Sequence, residues 1–236
     1  MRIGFASDFH AGALTHPRLL EAATDLLARQ SADLLLLGGD FVSGRSESIR
    51  TLAPLLAEIP APLGKYAVLG NHDIFAGLEE ASEALDRAGV RILTNRNVRL
   101  AEPFSNVWVC GLDDPELGNP DPARALAGAD GYRILLFHSP ETISLLRQER
   151  FDLAFCGHTH GGQIALPGGS PVMIPRGRYT RKYHYGVFKV PGRHGGGTLV
   201  VSRGVGCDMV PVRLFAHSEV IICSIEGAGD VWTKSE

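Results

Sequence analysis

Ile3-Gly4-Phe5-Ala6-Ser7-Asp8-Phe9-His10 carries an apolar run straight into two side chains able to hold a metal, and the same event recurs four more times along the chain. Leu34 to Gly39 ends in Asp40, Ala67 to Gly70 in Asn71 and His72, Ile134 to Phe137 in His138, and Leu153 to Gly157 in His158 and His160. Short runs of this composition read as strands. In open α/β sheets ligands gather beyond the carboxyl ends of the strands, so these five ends are expected to meet at one site although they are scattered in sequence. A lone Asp after a strand is most simply a turn residue or a helix cap. That reading would need five separate accidents here.

Outward from these ends, strand-like runs fall at 2–6, 34–37, 66–69, 106–110, 133–137, 152–156, 198–202 and 219–225. Helical periodicity is clearest at 17–29, 47–58, 78–88 and 140–147. Early alternation of strand and helix predicts parallel pairing, while the later runs are separated by glycine and proline. The expected fold is α/β, with two packed mixed β-sheets flanked by helices and residues 1–236 forming a single domain. Residues 157–206 are glycine-rich and poor in helix formers, which predicts a long functional loop with short strands.

The 236 residues are 44% hydrophobic and 21% charged, enough for one sizeable core. A net charge of −3 and a pI near 6.3 give no strong nucleic-acid signal. Cys110, Cys156, Cys207 and Cys223 form no C-x-x-C pair, so buried reduced thiols are expected rather than a disulfide framework. The residues before Asp8 are too few for a signal-peptide core, and no apolar run reaches the length of a membrane span, so the expected location is cytoplasmic, with peripheral membrane contact left open.

The ordered set Asp8-Phe9-His10, Gly39-Asp40, Gly70-Asn71-His72-Asp73, His138 and Gly157-His158-Thr159-His160 resembles the calcineurin-like metallophosphoesterase superfamily. Gly157 to Gln163, Arg181-Lys182-Tyr183 and Ser202-Arg203-Gly204-Val205-Gly206 resemble its bacterial YkuE/YaeI-like branch. Two departures stand out: Ser218-Glu219 where that branch usually has Pro-Glu, and no membrane or export segment. The resemblance implies a four-layer αββα fold and a dinuclear phosphoesterase in which a metal-bridging hydroxide attacks a phosphodiester or pyrophosphate bond. It implies a first metal held by Asp8, His10 and His160, a second by Asn71, His138 and His158, and Asp40 bridging both. Oxygen and imidazole donors without thiolate suit manganese, iron or zinc without choosing among them, and manganese is the first expectation, with iron or zinc as alternatives. Two carboxylates against two divalent cations leave a net charge of about +2, which attracts an anionic phosphoester.

By the same resemblance His72 is the acid or phosphate-orienting residue, with Asp73 either its partner or a cap of the following helix. His16, His184, His194 and His217 read as surface or packing residues. The alternatives to a hydrolase of this kind are a nuclease, which lacks the expected basic track, a UDP-diacylglucosamine-type pyrophosphatase acting on a lipid-linked substrate, and a non-catalytic scaffold, which would show eroded ligands.

Between Asp152 and Asp208 there is no acidic residue, while Arg176, Arg178, Arg181, Lys182, Lys189, Arg193 and Arg203 all fall there. This segment is expected to wall the substrate cleft, with Arg178, Arg181 and Lys182 pairing with a second phosphate or an anionic headgroup. The apolar flanks at 164–167 and 172–175 would take a lipid substituent or rest on an anionic membrane.

Overall fold

In the computed structural model, which describes residues 1–193 and 196–226, the first half of the chain alternates strand and helix. β1 (Arg2–Ala6), α1 (Pro17–Arg29), β2 (Leu34–Leu37), α2 (Ile49–Ala57), β3 (Lys65–Ala67), α3 (Asn71–Ala76), α4 (Leu78–Arg87) and β4 (Val90–Ile92) follow one another. β5 (Arg96–Arg99), β6 (Val107–Gly111), α5 (Pro122–Ala125), β7 (Tyr132–Leu136), β8 (Leu153–Cys156), α6 (Arg178–Lys182), β9 (Gly186–Val190), β10 (Gly197–Val201) and β11 (Ile221–Ser224) complete the order.

Two mixed sheets result. The first runs β11-β1-β2-β3-β4, parallel except for β11, and the second β5-β6-β7-β8-β10-β9, parallel except for its two edge strands. Parallel pairing thus extends into the later half, where the sequence offered glycine and proline instead of long helices. Short helices and coil make those crossovers, α5 between β6 and β7 being one.

Period-two alternation decides which side chains go where. Ile3 and Phe5 of β1, Leu34 and Leu36 of β2, and Leu153 and Phe155 of β8 point between the sheets, and the rings of Phe5 and Phe155 meet at 5.0 Å. Ala6, Leu35 and Leu37 turn outward onto Leu20, Leu27, Leu52, Leu56 and Leu85 of the first helical layer. Ala154, Cys156, Leu199 and Val201 cover the far side with Ile143, Leu146, Phe151 and Tyr183. Each fully enclosed Leu or Phe contributes roughly 1.5–3 kcal/mol, so the inter-sheet seam rigidly fixes the strand ends that follow it.

α1 starts where Pro17 sits at the first helical position and His16 Nδ1 accepts from the Arg18 N–H at 3.2 Å. His16 and His217 are exposed, consistent with a non-catalytic reading, and His194 lies outside the described residues. The helix expected over 140–147 is a short 3-10 turn, Pro140–Ser144. β4, β5 and β9 were not expected; they are short edge strands with exposed positions, and β5, Arg-Asn-Val-Arg, carries little apolar signal. Among the described residues no helix is long and apolar enough to cross a membrane.

Candidate metal centre at the strand ends

Asp8 and His10 follow β1, Asp40 follows β2, Asn71 opens α3 after β3, His138 follows β7, and His158 and His160 follow β8. All seven side chains come together. The donor atoms of Asp8, His10 and His160 lie within 4.8 Å of one another, as do those of Asp40, His138 and His158. Within the first group, His10 Nε2 is 3.0 Å from His160 Nε2, and His160 Nε2 is 3.7 Å from Asp8 Oδ1. Within the second, His138 Nε2 is 3.2 Å from His158 Nδ1 and 3.1 Å from Asn71 Oδ1. Asp40 Oδ2 joins the groups, 3.4 Å from His10 Nε2 and 3.2 Å from His138 Nε2.

The donor set fits divalent cations. Ring nitrogens from different strands face each other at hydrogen-bond distance beside carboxylate oxygens, an arrangement that one cation in each group would satisfy at once, and no thiolate takes part. The backbone holds these groups in place by close approach. A Cβ at Gly70 would overlap the Asp40 carboxylate, and one at Gly157 would overlap Asp8 and Ser7, so glycine is required before each following ligand. Asp8 accepts from the His158 N–H at 2.9 Å and from Ser7 Oγ at 2.5 Å. His138 Nδ1 sits 2.8 Å from the Gly38 carbonyl, which fixes the other ring nitrogen toward Asp40.

Five of these residues adopt left-handed backbone conformations: Asp8, His10, Asp40, His158 and His160 have φ of 53, 43, 54, 70 and 53°. For residues with a Cβ this costs of the order of 1 kcal/mol each.

Burial dominates the electrostatics. It pushes His160 well below the ordinary imidazole value, with His10 and Arg213 acting the same way, and it also lowers His10. His138 goes the other way: burial opposes its charge, but the carboxylates of Asp40, Asp8 and Asp114 together hold the ring well above the ordinary value. Asp40 is correspondingly held low, against burial, by the charge and hydrogen bond of His138.

His72 stands beside the first group, its ring edge-on to His10 with centroids 4.6 Å apart and its backbone N–H donating to Asp40 Oδ1 at 2.9 Å. Its carboxylate neighbour is Asp208, with His72 Nε2 3.7 Å from Asp208 Oδ2. Asp73 is not that neighbour. It is fully buried and accepts four backbone N–H groups, from Asp40 (2.8 Å), Phe41 (2.8 Å), Val42 (3.1 Å) and Gly70 (3.0 Å). The expectation of a catalytic role for Asp73 is therefore corrected: the carboxylate ties the loop after β2 to the start of α3, and its cap reading holds. Burial and then the Asp40 charge push this carboxyl up to about 7, against the pull of its N–H donors.

Three further residues escaped sequence reasoning. Glu116 Oε1 lies 3.3 Å from His158 Nε2, placed there by Asp114, which accepts the N–H groups of Glu116 and Leu117 at 2.9 Å each. The run into Asp113 and Asp114 after β6 carried the same strand-then-acid signal as the other five ends. Asp208 and Arg213 carried no such signal. Arg213 Nη2 donates to the Arg203 carbonyl at 2.8 Å and lies 3.0 Å from His160 Nδ1, binding the loop after β10 to the second His of the G-H-x-H stretch.

Arg178 and Arg181 are exposed on α6, whose first N–H groups Glu141 accepts from Tyr179 (2.6 Å) and Thr180 (2.8 Å). The His184 carbonyl that follows accepts from Thr159 Oγ1 at 2.6 Å, which ties this segment to the loop between His158 and His160. Lys182 faces elsewhere. It lines a cavity of about 290 Å³ with Arg147, Phe151 and Arg193, on the outer side of the second sheet toward the amino ends of β8 and β10.

A two-sheet fold whose strand ends converge on paired His and carboxylate clusters defines a metallophosphoesterase, and the comparisons agree. Residues 1–162 match the family described as calcineurin-like phosphoesterase. An uncharacterized metallophosphoesterase of Aquifex aeolicus is 33% identical over 236 residues, spanning 98% of this chain and 87% of that protein. Phosphodiesterase YaeI of Escherichia coli is 30% identical over 228 residues, spanning 95% of this chain and 82% of that protein. Among solved structures, a 5'-nucleotidase precursor from Thermus thermophilus superposes with a TM-score of 0.59 at 16% identity, covering 99% of this chain and 53% of that one, so this chain spans about half its length. A dimetal phosphatase from Danio rerio gives 0.56 at 11% identity, covering 96% and 93%. The chain belongs to the calcineurin-like phosphoesterase family and is a phosphoester hydrolase.

Proposed function

We propose that residues 1–236 act as one domain that hydrolyses a phosphodiester or pyrophosphate bond with two divalent cations, manganese before iron or zinc. The observation that carries this reading is Asp40, whose single carboxylate is shared between two buried clusters of nitrogen and oxygen donors. Asp8, His10 and His160 would hold one ion, and Asn71, His138 and His158 the other. Such ions neutralise phosphoryl charge and lower the pKa of water. The protein's own part is to hold the seven donors rigid, to exclude bulk water from the floor, and to offer a proton. His72 would offer that proton to the leaving oxygen, with the Asp208 carboxylate beside the ring, 3.7 Å from Nε2. Glu116 Oε1, 3.3 Å from His158 Nε2, would orient that ring.

Arg178 and Arg181, exposed just beyond the Thr159 anchor, would meet a second anionic group of the substrate, and the flanks at 164–167 and 172–175 leave room for an apolar or lipid substituent. The four cysteines are free and buried, which fits a reducing, cytoplasmic compartment. With manganese supplied, kcat/KM for bis(p-nitrophenyl) phosphate should exceed that for p-nitrophenyl phosphate by about tenfold or more. A monoester preference would overturn the bond type, and no activity on either would overturn the reading itself.

A further inference from the structure

The loop after β8 and the loop after β10 are stitched into one flap. The Ala165 N–H donates to the Leu214 carbonyl at 2.8 Å and the Leu214 N–H to the Gln163 carbonyl at 2.9 Å. The Gln163 side chain closes the join: its Nε2 donates to the carbonyls of Asp208 (2.7 Å) and Val210 (2.8 Å), and its Oε1 accepts from the Asp208 N–H at 2.7 Å. Gln163 is itself buried, so the flap has a fixed polar hinge.

Its outer surface inverts the usual rule. Leu166, Val172, Met173, Met209, Val212 and Phe215 are 45–72% exposed on these two loops, a concentration unusual for a water-facing surface. Phe75, 79% exposed, lies one turn beyond His72 on α3. Charge is equally one-sided. Over residues 163–216 the sequence has eight Lys and Arg and a single acid, Asp208, and Asp208 is paired with His72. Arg176, Arg178 and Arg181 are exposed beside the apolar stretch in a chain whose net charge is −3.

We infer that this flap is a membrane-docking surface that seats on an anionic lipid bilayer and presents the metal centre to phosphoesters at the bilayer face. Apolar side chains enter the interface while the arginines meet lipid phosphates, the two signals that peripheral binding requires together. Because Asp208 belongs to the flap and pairs with His72, the docking surface and the proton donor share one rigid unit. This assignment rests on the phosphoesterase reading, and the test separates the two.

The full chain, loaded with manganese, is sedimented with vesicles of phosphatidylglycerol and phosphatidylcholine in equal parts, and with phosphatidylcholine alone. The wild type should pellet with the first at least about tenfold more than with the second. Met209→Asp combined with Val212→Asp, both exposed on the flap and outside the flanks assigned to substrate, should lose that binding while hydrolysing bis(p-nitrophenyl) phosphate within about twofold of wild type, which also reports that it folds. Failure of the wild type to pellet with the mixed vesicles, or equal pelleting of the variant, overturns the docking surface. So does a wild-type dimer in light scattering that the variant converts to monomer, since a second copy would then be the occupant. An inactive wild type sinks the phosphoesterase reading whatever the vesicles show.

Discussion

At the floor of the site Asp8, Asp40 and Asp73 are enclosed and held by backbone N–H groups, whereas at the rim Met173, Met209 and Phe215 are 62, 72 and 45% exposed. The floor puts polar groups where apolar ones belong, and the rim puts apolar groups where polar ones belong. A buried carboxylate is tolerable only when its oxygens are satisfied, so every floor residue depends on its neighbours. An exposed apolar side chain contributes little to folding, so the rim is free to change without disturbing the floor. Substitutions in the two regions should therefore differ in size and in kind.

The largest effect belongs to Asp40→Asn, which removes the charge shared by both clusters. Turnover should be lost and metal content should fall from two ions per chain in elemental analysis; two ions retained would break the bridging role. Next comes His72→Ala, with kcat lowered by about 10²–10⁴-fold and metal content unchanged. Activity within about threefold of wild type would remove His72 from the chemistry. Asp73→Ala leaves four buried N–H groups without their acceptor. At about 1 kcal/mol or more for each donor that finds no water, unfolding free energy should fall by roughly 2–4 kcal/mol in urea titration. A loss below about 1 kcal/mol would show that the floor relaxes.

Metal uptake gives a smaller signal with a definite sign. The Asp40 carboxylate favours the charged form of His138, and only a neutral ring can ligate, so if His138 holds a metal its uptake should expel a proton. Apparent affinity should weaken as pH falls, and the calorimetric enthalpy should vary with the ionisation enthalpy of the buffer. Buffer independence near neutral pH would contradict proton release from His138. The smallest effect is expected at the rim, where Met173→Asp alone should shift stability by less than about 0.5 kcal/mol.

The same contrast explains what the sequence disclosed. Candidate ligands at strand ends are legible because each donor follows its apolar run within a few residues, and Gly39, Gly70 and Gly157 mark the tight approach. Asp208 and Glu116 were hidden because each meets its histidine from a loop distant in sequence. Asp73 was misassigned in part because adjacency to His72 suggested a pair, while α3 turns the two side chains apart: one toward the open site, the other under the loop after β2. Lys182 is a neighbour of Arg178 and Arg181 in sequence, yet it lines a separate cavity that neither arginine lines. Basic composition located the rim, but it took the Gln163 hinge to show that Met209 to Phe215 belong to the same surface.

The left-handed backbone at Asp8, His10, Asp40, His158 and His160 has a consequence for anyone moving this centre to a designed scaffold. Copying the seven side chains onto ordinary strands or helices would aim them wrongly, because the turns, not the rotamers, set their directions. A host must supply five positions that glycine or asparagine would occupy more comfortably. Selection for thermostability alone, with no demand for activity, should then erode the ligands toward those two residues before it touches the core.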